Sequence, residues 1–260
     1  MKINLVYNTK IPNYLDALNI VRGLLDNKNA EYKAFNIDEM DAFGDFTITL
    51  GGDGTILRTA KFYSEYKTPA LGINIGRLGF LSQSENAEEI INSVLSKHYY
   101  TEDRLMLETS GYKALNDVVI KGCDPSRTSK FYLEIQGKTV CDYIADGIII
   151  STPTGSTAYG LSAGGPVLYP TLDSIVIVPI CPHTLNARPL VIPASEDITV
   201  KTSDKLLSVA IDGYDTIKCV DKITVRKSEQ KATLAFLNNR KFYSVLRDKL
   251  HWGISPEQKG

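Results

Sequence analysis

Apolar residues in the first hundred positions form short runs that alternate with stretches of helical periodicity. Three runs predict buried strands, at 3–7, 46–50 and 69–75. Helices are predicted at 14–25, 55–66 and 87–95, with Asn13 as a cap of the first and an Asn86-x-x-Glu89 capping box before the third. Short apolar strands separated by helices are typical of a parallel sheet with helices on its faces, so the pattern predicts an α/β domain over residues 1–100.

The pattern changes after about residue 100, where apolar runs follow one another with turns between them. Alternation at 131–135, a turn at 136–138 and an apolar run at 140–150 predict a hairpin. Further strands are predicted at 175–180, 190–192, 198–202, 206–211, 222–226 and 232–237, with one helix near 156–164. Residues 101–239 are therefore predicted to form a β-rich second domain, followed by a helical segment at 242–252.

Composition narrows the classes of partner. The 260 residues carry a formal net charge of −1, whereas a dedicated nucleic-acid binder usually has a clear basic excess, so we expect no nucleic-acid partner. Four cysteines without a C-x-x-C pair and three scattered histidines predict reduced thiols and no protein-built zinc site. No apolar run approaches the roughly 20 residues that span a bilayer, and no secretory signal follows Met1. We therefore expect a soluble cytoplasmic protein with no membrane partner.

The turn at 51–55, Gly-Gly-Asp-Gly-Thr, follows a predicted strand and precedes a predicted helix. Glycines let a phosphate approach the backbone, and the helix directs its N–H groups to the same point. The charge of Asp53 repels phosphate, so its presence points to a contact with a hydroxyl group, a magnesium ion or both; a tight turn with an aspartate cap is the alternative. The absence of G-x-x-x-x-G-K-[ST] excludes a P-loop, and the absence of G-x-G-x-x-G disfavours a Rossmann dehydrogenase.

Gly-Gly-Asp-Gly-Thr occurs in NAD kinases and in diacylglycerol and sphingosine kinases, and with a final serine in phosphofructokinases. Other segments resemble the NAD kinases: NIGRLGFL at 74–81, LND at 115–117, DG at 146–147, STPTGSTAY at 151–159, LSAGGP at 161–166, PHTL at 182–185, RPL at 188–190, IDG at 211–213 and VLRDKLHWG at 245–253. Together with the glycine turn and the strand before it, these segments extend the resemblance over residues 46–253 in order, and on them the chain is identified as a member of the NAD kinase family.

The resemblance implies a fold and a reaction. The fold is an N-terminal α/β domain, to which the segment 240–260 returns, and a C-terminal domain of antiparallel strands; the assembly is a homodimer or homotetramer. The reaction moves the terminal phosphoryl group of ATP, or of polyphosphate, to the 2′-hydroxyl of the adenosine ribose of NAD, with Mg²⁺ or another divalent cation carried by the donor. Asp53 matches the catalytic base, and positioning is expected to carry most of the rate.

The resemblance also assigns substrate contacts. Asn116 and Asp117 match residues that hold the ribose and the adenine edge, although the family often has glutamate where Asp117 stands. Tyr159 offers an aromatic face to the base. The residues that match the adenosine pocket are Thr157, Ala158, Tyr159 and Ser162.

Six further positions are expected at the same site. Asp146 matches a contact near the nicotinamide end, often across a subunit boundary, and Ile144 stands where many members carry arginine or lysine, so a charged contact is lost. Arg58 either reaches a phosphate or is a surface arginine, and Tyr214 either closes the pocket or is a surface tyrosine. Gly54 and Phe80 are expected to line the site.

Two other functions compete. A lipid kinase shares the glycine turn, but it should have a membrane-facing basic or apolar patch, and no basic run is present. A non-catalytic NAD(P) sensor on the same fold would be favoured by loss of the catalytic carboxylate, yet Asp53 is present.

Overall fold

The computed structural model describes residues 1–75, 79–83, 86–124, 127–183, 186–203, 206–237 and 242–252. Parts of three motifs, at 76–78, 184–185 and 253, lie outside the described residues. The chain divides into two compact units, one made of Met1–Asp103 and the segment that begins at Ala232, the other of Arg104–Lys231. No helix in the described part of the chain is long and apolar enough to cross a bilayer.

The elements up to residue 109 are β1 (Lys2–Tyr7), α1 (Tyr14–Asn27), β2 (Glu31–Asn36), β3 (Phe46–Leu50), α2 (Asp53–Tyr63), β4 (Ala70–Ile73), α3 (Ala87–Leu95) and β5 (Tyr100–Thr109). The next are β6 (Tyr112–Ala114), β7 (Asp117–Gly122), β8 (Ser129–Ile135), β9 (Lys138–Ala145), β10 (Gly147–Ser151), α4 (Tyr159–Ser162) and β11 (Ser174–Ile180). The last are β12 (Leu190–Pro193), β13 (Ile198–Thr202), β14 (Leu207–Ile211), β15 (Asp215–Val220), β16 (Lys222–Phe236) and α5 (Phe242–Leu250).

The first unit is built on a parallel sheet in the order β2-β1-β3-β4. Strand β3 is buried along its whole length, as expected for a parallel sheet covered on both faces. On one face, Leu5 and Ile48 pack with the apolar sides of α1 and α3. On the other face, Val6 packs against Tyr63 of α2, because successive side chains of a strand point to opposite sides. The predicted α/β layout is confirmed.

The second unit contains two antiparallel sheets. One has the order β12-β11-β10-β7-β14-β15. In the other, β13 lies between β16 and β8, and β8 also pairs with β9. Alternate residues from both sheets, such as Ile120 and Ile150 from the first and Leu133 and Val200 from the second, pack in one buried cluster. A shared core between two sheets is the arrangement of a β-sandwich, and it confirms the predicted antiparallel, β-rich class.

Several predicted elements have different bounds. The runs at 222–226 and 232–237 are one strand, β16, and the run at 140–150 is two strands that meet at Asp146. The helix predicted at 156–164 is only a 3-10 turn at Thr154–Thr157 followed by the four-residue α4, since glycines interrupt the sequence there. Strands β2, β5, β6 and β15 were not predicted.

The two predicted helix caps have different outcomes. Asn86 accepts a hydrogen bond from the N–H of Glu89 at 3.1 Å, which confirms the cap. Asn13 precedes α1 in the left-handed conformation, with φ 61°, and its side chain makes no capping hydrogen bond, so that prediction was wrong. Asparagine tolerates this conformation better than most residues do.

The last part of β16 returns to the first sheet, where Leu234 pairs in parallel with Ala70. Gln83 fixes this return, because its Nε2 donates to the carbonyl of Ala235 at 2.8 Å and its Oε1 accepts from the N–H of Leu237 at 2.8 Å. The boundary between the predicted domain at 101–239 and its returning segment thus falls inside β16 in the structure, after Lys231.

We expect the substitution Gln83→Leu to lower the free energy of unfolding by about 2–4 kcal/mol, because it leaves a buried carbonyl and a buried N–H without partners. Urea unfolding measures the change. The matched control is Asn19→Leu on the exposed side of α1, which should stay within about 0.5 kcal/mol of the wild type. Equal effects of the two substitutions would contradict the proposed role of Gln83.

Candidate active site

A glycine turn joins β3 to α2 in the first unit. Gly51 has φ 157° and donates its N–H to the carbonyl of Ile73 at 3.0 Å. A β-carbon on Gly51 would lie only 2.7 Å from the side chain of Thr55, so a larger residue does not fit. The carbonyl of Gly52 accepts the first N–H groups of α2, from Thr55 and Ile56, and the helix therefore begins at Asp53.

The carboxylate of Asp53 binds the loop at residues 80–82 of the same unit. It accepts hydrogen bonds from three successive backbone N–H groups, those of Phe80 at 2.6 Å, Leu81 at 3.0 Å and Ser82 at 3.2 Å. Gly79 is required beside it, because a β-carbon there would lie 1.9 Å from Asp53 Oδ1. The structure thus brings two sequence motifs together, the glycine turn and the segment that contains Phe80.

The three hydrogen bonds from this loop leave the carboxylate of Asp53 with few further acceptor sites. An ionised carboxylate has about four lone-pair sites. Oδ1 of Asp53 accepts two of the three N–H groups and Oδ2 accepts one. One acceptor site on Oδ2 therefore has no donor among the described hydrogen bonds, and it is available to a hydroxyl group or a metal ion.

Arg58 lies one turn inside α2 and is already paired. Its Nη1 donates to Asp38 Oδ1 at 2.7 Å, and this hydrogen bond is the main reason that the pKa of Asp38 is lowered. Lys10 Nζ lies 3.7 Å from the other oxygen of Asp38. The phosphate contact predicted for Arg58 has to compete with this exposed ion pair, which water screens. Gly54 is exposed beside the turn and has open space around its α-carbon.

In the second unit, the start of β7 is tied to the loop that follows β10. Thr152 donates its N–H to the carbonyl of Asn116 at 2.9 Å and its hydroxyl to the carbonyl of Leu115 at 2.6 Å. The same hydroxyl accepts the N–H of Gly155 at 3.0 Å. A β-carbon on Gly155 would lie 2.1 Å from the carbonyl oxygen of Asn116, so the close approach depends on glycine. These contacts place the Asn116–Asp117 motif beside the 154–159 motif.

A second carboxylate, that of Asp212, holds the same segment from the other side. It accepts from the backbone N–H groups of Leu115 at 3.0 Å, Asn116 at 2.7 Å and Asp117 at 3.2 Å. Sequence reasoning identified the motif at 211–213 but did not name Asp212 as a site residue. The available signal was an Asp-Gly pair directly after an apolar strand, which marks a tight hairpin turn.

A pocket of about 410 Å³ opens over this part of the second unit. Its lining residues are Asn116, Asp117, Val119, Lys121, Ala158, Tyr159, Ser208, Ala210, Asp212 and Gly213. Four of the predicted site residues therefore meet here, namely Asn116, Asp117, Ala158 and Tyr159. The volume lies within the usual range for small-molecule sites, and alternate residues of β7 and β14 form one wall.

Asp117 is the most buried ionisable group of this pocket, with a relative exposure of 5%. Burial, followed by the nearby charge of Asp212, raises the pKa of Asp117 to about 7. Near neutral pH its carboxyl group is therefore divided between the ionised form, which only accepts hydrogen bonds, and the neutral form, which also donates one.

Other predicted residues lie outside the lining of this pocket. Thr157 donates its hydroxyl to the carbonyl of Thr154 at 3.3 Å, and Ser162 is exposed at the end of α4. Tyr214 is 42% exposed, and its hydroxyl lies 3.5 Å from Asp212 Oδ2. The remaining two, both exposed, are Ile144 on β9 and Asp146 between β9 and β10.

The chain matches known proteins over most of its length. Residues 12–100 match the model of the ATP-NAD kinase N-terminal domain, and residues 115–237 match that of the C-terminal domain. A protein named NAD kinase from Magnetococcus marinus is 40% identical over 225 residues, covering 80% of this chain and 74% of that protein. A second, from Pseudomonas putida, is 41% identical over 225 residues, covering 80% and 76%.

Solved structures agree with these matches. An NAD kinase from Archaeoglobus fulgidus, solved in complex with ATP, superposes with a TM-score of 0.81 at 29% identity, covering 96% of this chain and 99% of that one. Yeast NADH kinase, solved with NADH, has the same fold, with a TM-score of 0.84 at 22% identity over 98% and 89% of the two chains. From the two family models and the relatives that are 40% identical, the chain belongs to the NAD kinase family.

Proposed function

We propose that the protein phosphorylates NAD to NADP, transferring the terminal phosphoryl group of ATP or polyphosphate to the 2′-hydroxyl of the adenosine ribose. The observation that carries the proposal is the pocket of the second unit, which combines Asn116, Asp117 and Tyr159 in a chain of the NAD kinase family. Amide and carboxyl groups suit ribose hydroxyls and an adenine edge, and the ring of Tyr159 suits a base.

In this proposal Asp53 is the catalytic base. Its one remaining acceptor site, on Oδ2, receives the hydrogen bond of the 2′-hydroxyl and orients that oxygen toward the phosphorus atom. The proton moves to the carboxylate late, because phosphoryl transfer passes through a loose transition state in which bond formation to the nucleophile lags. The three N–H donors from 80–82 hold the carboxylate in one direction, so little reorganisation is needed when the substrate arrives.

The remaining residues have supporting roles in the proposal. Thr157, Ala158 and Ser162 surround the adenosine together with Tyr159, and Asp146 contacts the nicotinamide end, where Ile144 supplies an apolar surface. Gly54 and Phe80 line the site near Asp53, Arg58 exchanges Asp38 for a phosphate, and Tyr214 covers the pocket beside Asp212.

The divalent cation is placed on the phosphates of the donor. Among the described residues, no group of three or more His, Cys, Asp or Glu side chains is arranged to hold a metal ion. Mg²⁺ commonly binds through one or two carboxylates together with substrate phosphates. Because the one remaining acceptor site of Asp53 receives the 2′-hydroxyl in this proposal, Asp53 is not assigned as a ligand of the ion. When bound, Mg²⁺ neutralises phosphate charge that develops during the transfer.

The proposal also includes a homodimer or homotetramer, since closed symmetric assemblies are the common case and Asp146 matches a contact that often crosses a subunit boundary. The cytoplasm, where NAD and ATP are available, is the proposed location.

Purified protein incubated with NAD, ATP and Mg²⁺ is expected to form NADP, which chromatography detects directly. Parallel reactions replace ATP with polyphosphate and NAD with diacylglycerol in vesicles. NADP formation with either phosphoryl donor supports the proposal. Phosphorylated diacylglycerol without NADP would identify a lipid kinase instead, and binding of NAD without turnover would identify a sensor.

We expect Asp53→Asn to lower kcat by about 10²–10⁴-fold, because an amide cannot accept the proton. The Kd for NAD should change little, since the amide oxygen still accepts a hydrogen bond. Steady-state kinetics and calorimetry measure the two quantities.

A matched control is Asp45→Asn in the same unit, where Asp45 Oδ1 accepts the backbone N–H of Lys2 at 2.7 Å. This variant also weakens a carboxylate-to-backbone contact, but it should keep its kcat. If Asp53→Asn retains wild-type kcat, Asp53 only supports its loop and Asp117 becomes the next candidate for the base.

A further inference from the structure

The hairpin between β14 and β15 delivers a carboxylate to the start of β7. Asp212 and Gly213 both have positive φ, 51° and 77°, which is the conformation of a type I′ turn. Strand β14 lies beside β7, with Ile211 opposite Val118, so the residue after Ile211 comes next to Asp117. The N–H of Asp212 donates to the carbonyl of Asp117 at 3.0 Å, which fixes the turn against β7.

The direction of the pocket side chains depends on this contact. Residues 115–117 turn into β7, and their three N–H groups all point at the carboxylate of Asp212, with Oδ2 accepting from Leu115 and Oδ1 from Asn116 and Asp117. Hydrogen bonds from backbone N–H groups to a carboxylate are charge-assisted and shorter than neutral ones. Fixing three successive N–H groups restricts the backbone dihedral angles of this segment, and with them the directions in which the Cα–Cβ bonds of Asn116 and Asp117 leave the backbone.

We propose that Asp212 is a positioning residue for the nucleotide substrate: its carboxylate holds the backbone of residues 115–117 so that the side chains of Asn116 and Asp117 meet the ribose. The inference rests on the proposed function and deepens it. The acceptor capacity of Asp212 is largely used by the three N–H groups, so Asp117 is the carboxyl group left to face the ligand in this pocket.

Asp212 also has an electrostatic effect on Asp117. The charged and titratable groups that line the pocket with Asp117 are Lys121 on β7, Tyr159 on α4 and Asp212 itself, and the hydroxyl of Tyr214 lies 3.5 Å from Asp212 Oδ2. Burial first and the charge of Asp212 second raise the pKa of Asp117. Removing the charge of Asp212 therefore lowers this pKa, and the ionised form of Asp117 then persists to lower pH.

The substitution Asp212→Asn tests the proposal. Asn-Gly is the preferred sequence of a type I′ turn, so the hairpin should form. The amide has one acceptor oxygen, and its NH₂ group faces a backbone N–H, so the hold on residues 115–117 is weakened. We expect the Kd and KM for NAD to rise about 10- to 100-fold. The midpoint of the pH dependence of NAD binding should move to lower pH than in the wild type, where the Asp117 pKa of about 7 is expected to set it.

The controls separate positioning from general destabilisation. Asp221→Asn changes an exposed aspartate in the turn between β15 and β16, and it should leave Kd and the pH midpoint unchanged. Asp212→Glu keeps the charge but moves the carboxylate by one methylene group, so NAD affinity should fall while the pH midpoint stays near that of the wild type. This variant decides the question if Asp212→Asn does not fold.

The proposal is overturned if folded Asp212→Asn, or Asp212→Glu in its place, binds NAD with wild-type affinity. It is also overturned if the pH midpoint of Asp212→Asn does not move, because Asp212 then acts only on stability. The wild-type protein tests the underlying function by itself, because the proposed function fails if it neither binds NAD nor forms NADP. If the wild type is active and Asp212→Asn binds NAD with unchanged affinity, only the positioning role is removed.

Discussion

In each of the two units, the candidate site residues depend on a carboxylate that accepts three successive backbone N–H groups. Asp53 holds residues 80–82 in the first unit, and Asp212 holds residues 115–117 in the second. Each hydrogen bond to a charged acceptor is worth about 1.5–3 kcal/mol and would leave a costly unpaired group if it were lost. The loop residues 80–82 and the turn that leads into β7 are thereby each given a defined conformation.

The two carboxylates have different consequences because their surroundings differ. Asp53 stands at the start of α2 and keeps one acceptor site on Oδ2, which suits a group that touches the reacting hydroxyl. The carboxylate of Asp212 accepts three backbone N–H groups, so Asp117 is the carboxyl group that faces the ligand. Asp212 therefore acts through the residues that it holds. Glycines are needed beside both segments, since a β-carbon on Gly79 would lie 1.9 Å from Asp53 Oδ1 and one on Gly155 would lie 2.1 Å from the carbonyl oxygen of Asn116.

Much of the fold follows from local patterns, and the exceptions have physical causes. Strand β3 and the Asn86 cap were predictable because burial and capping depend on neighbouring residues. Strand β2, at the edge of its sheet, mixes exposed charged residues with few buried ones and so lacks the apolar signal. The motifs indicated Asp53, Asn116 and Asp117, but the role of Asp212 depends on β14 lying beside β7, a pairing across about 95 residues that no local pattern reveals.

Amide hydrogen exchange, followed residue by residue by NMR, tests most directly whether the two carboxylates hold these backbone segments. In the wild type, the N–H groups of 80–82 and 115–117 should exchange slowly although they belong to loops or strand starts. Asp53→Asn should accelerate exchange only at 80–82, and Asp212→Asn only at 115–117. Fast exchange at these positions in the wild type, or unchanged rates in the variants, would show that the carboxylates do not hold the two segments.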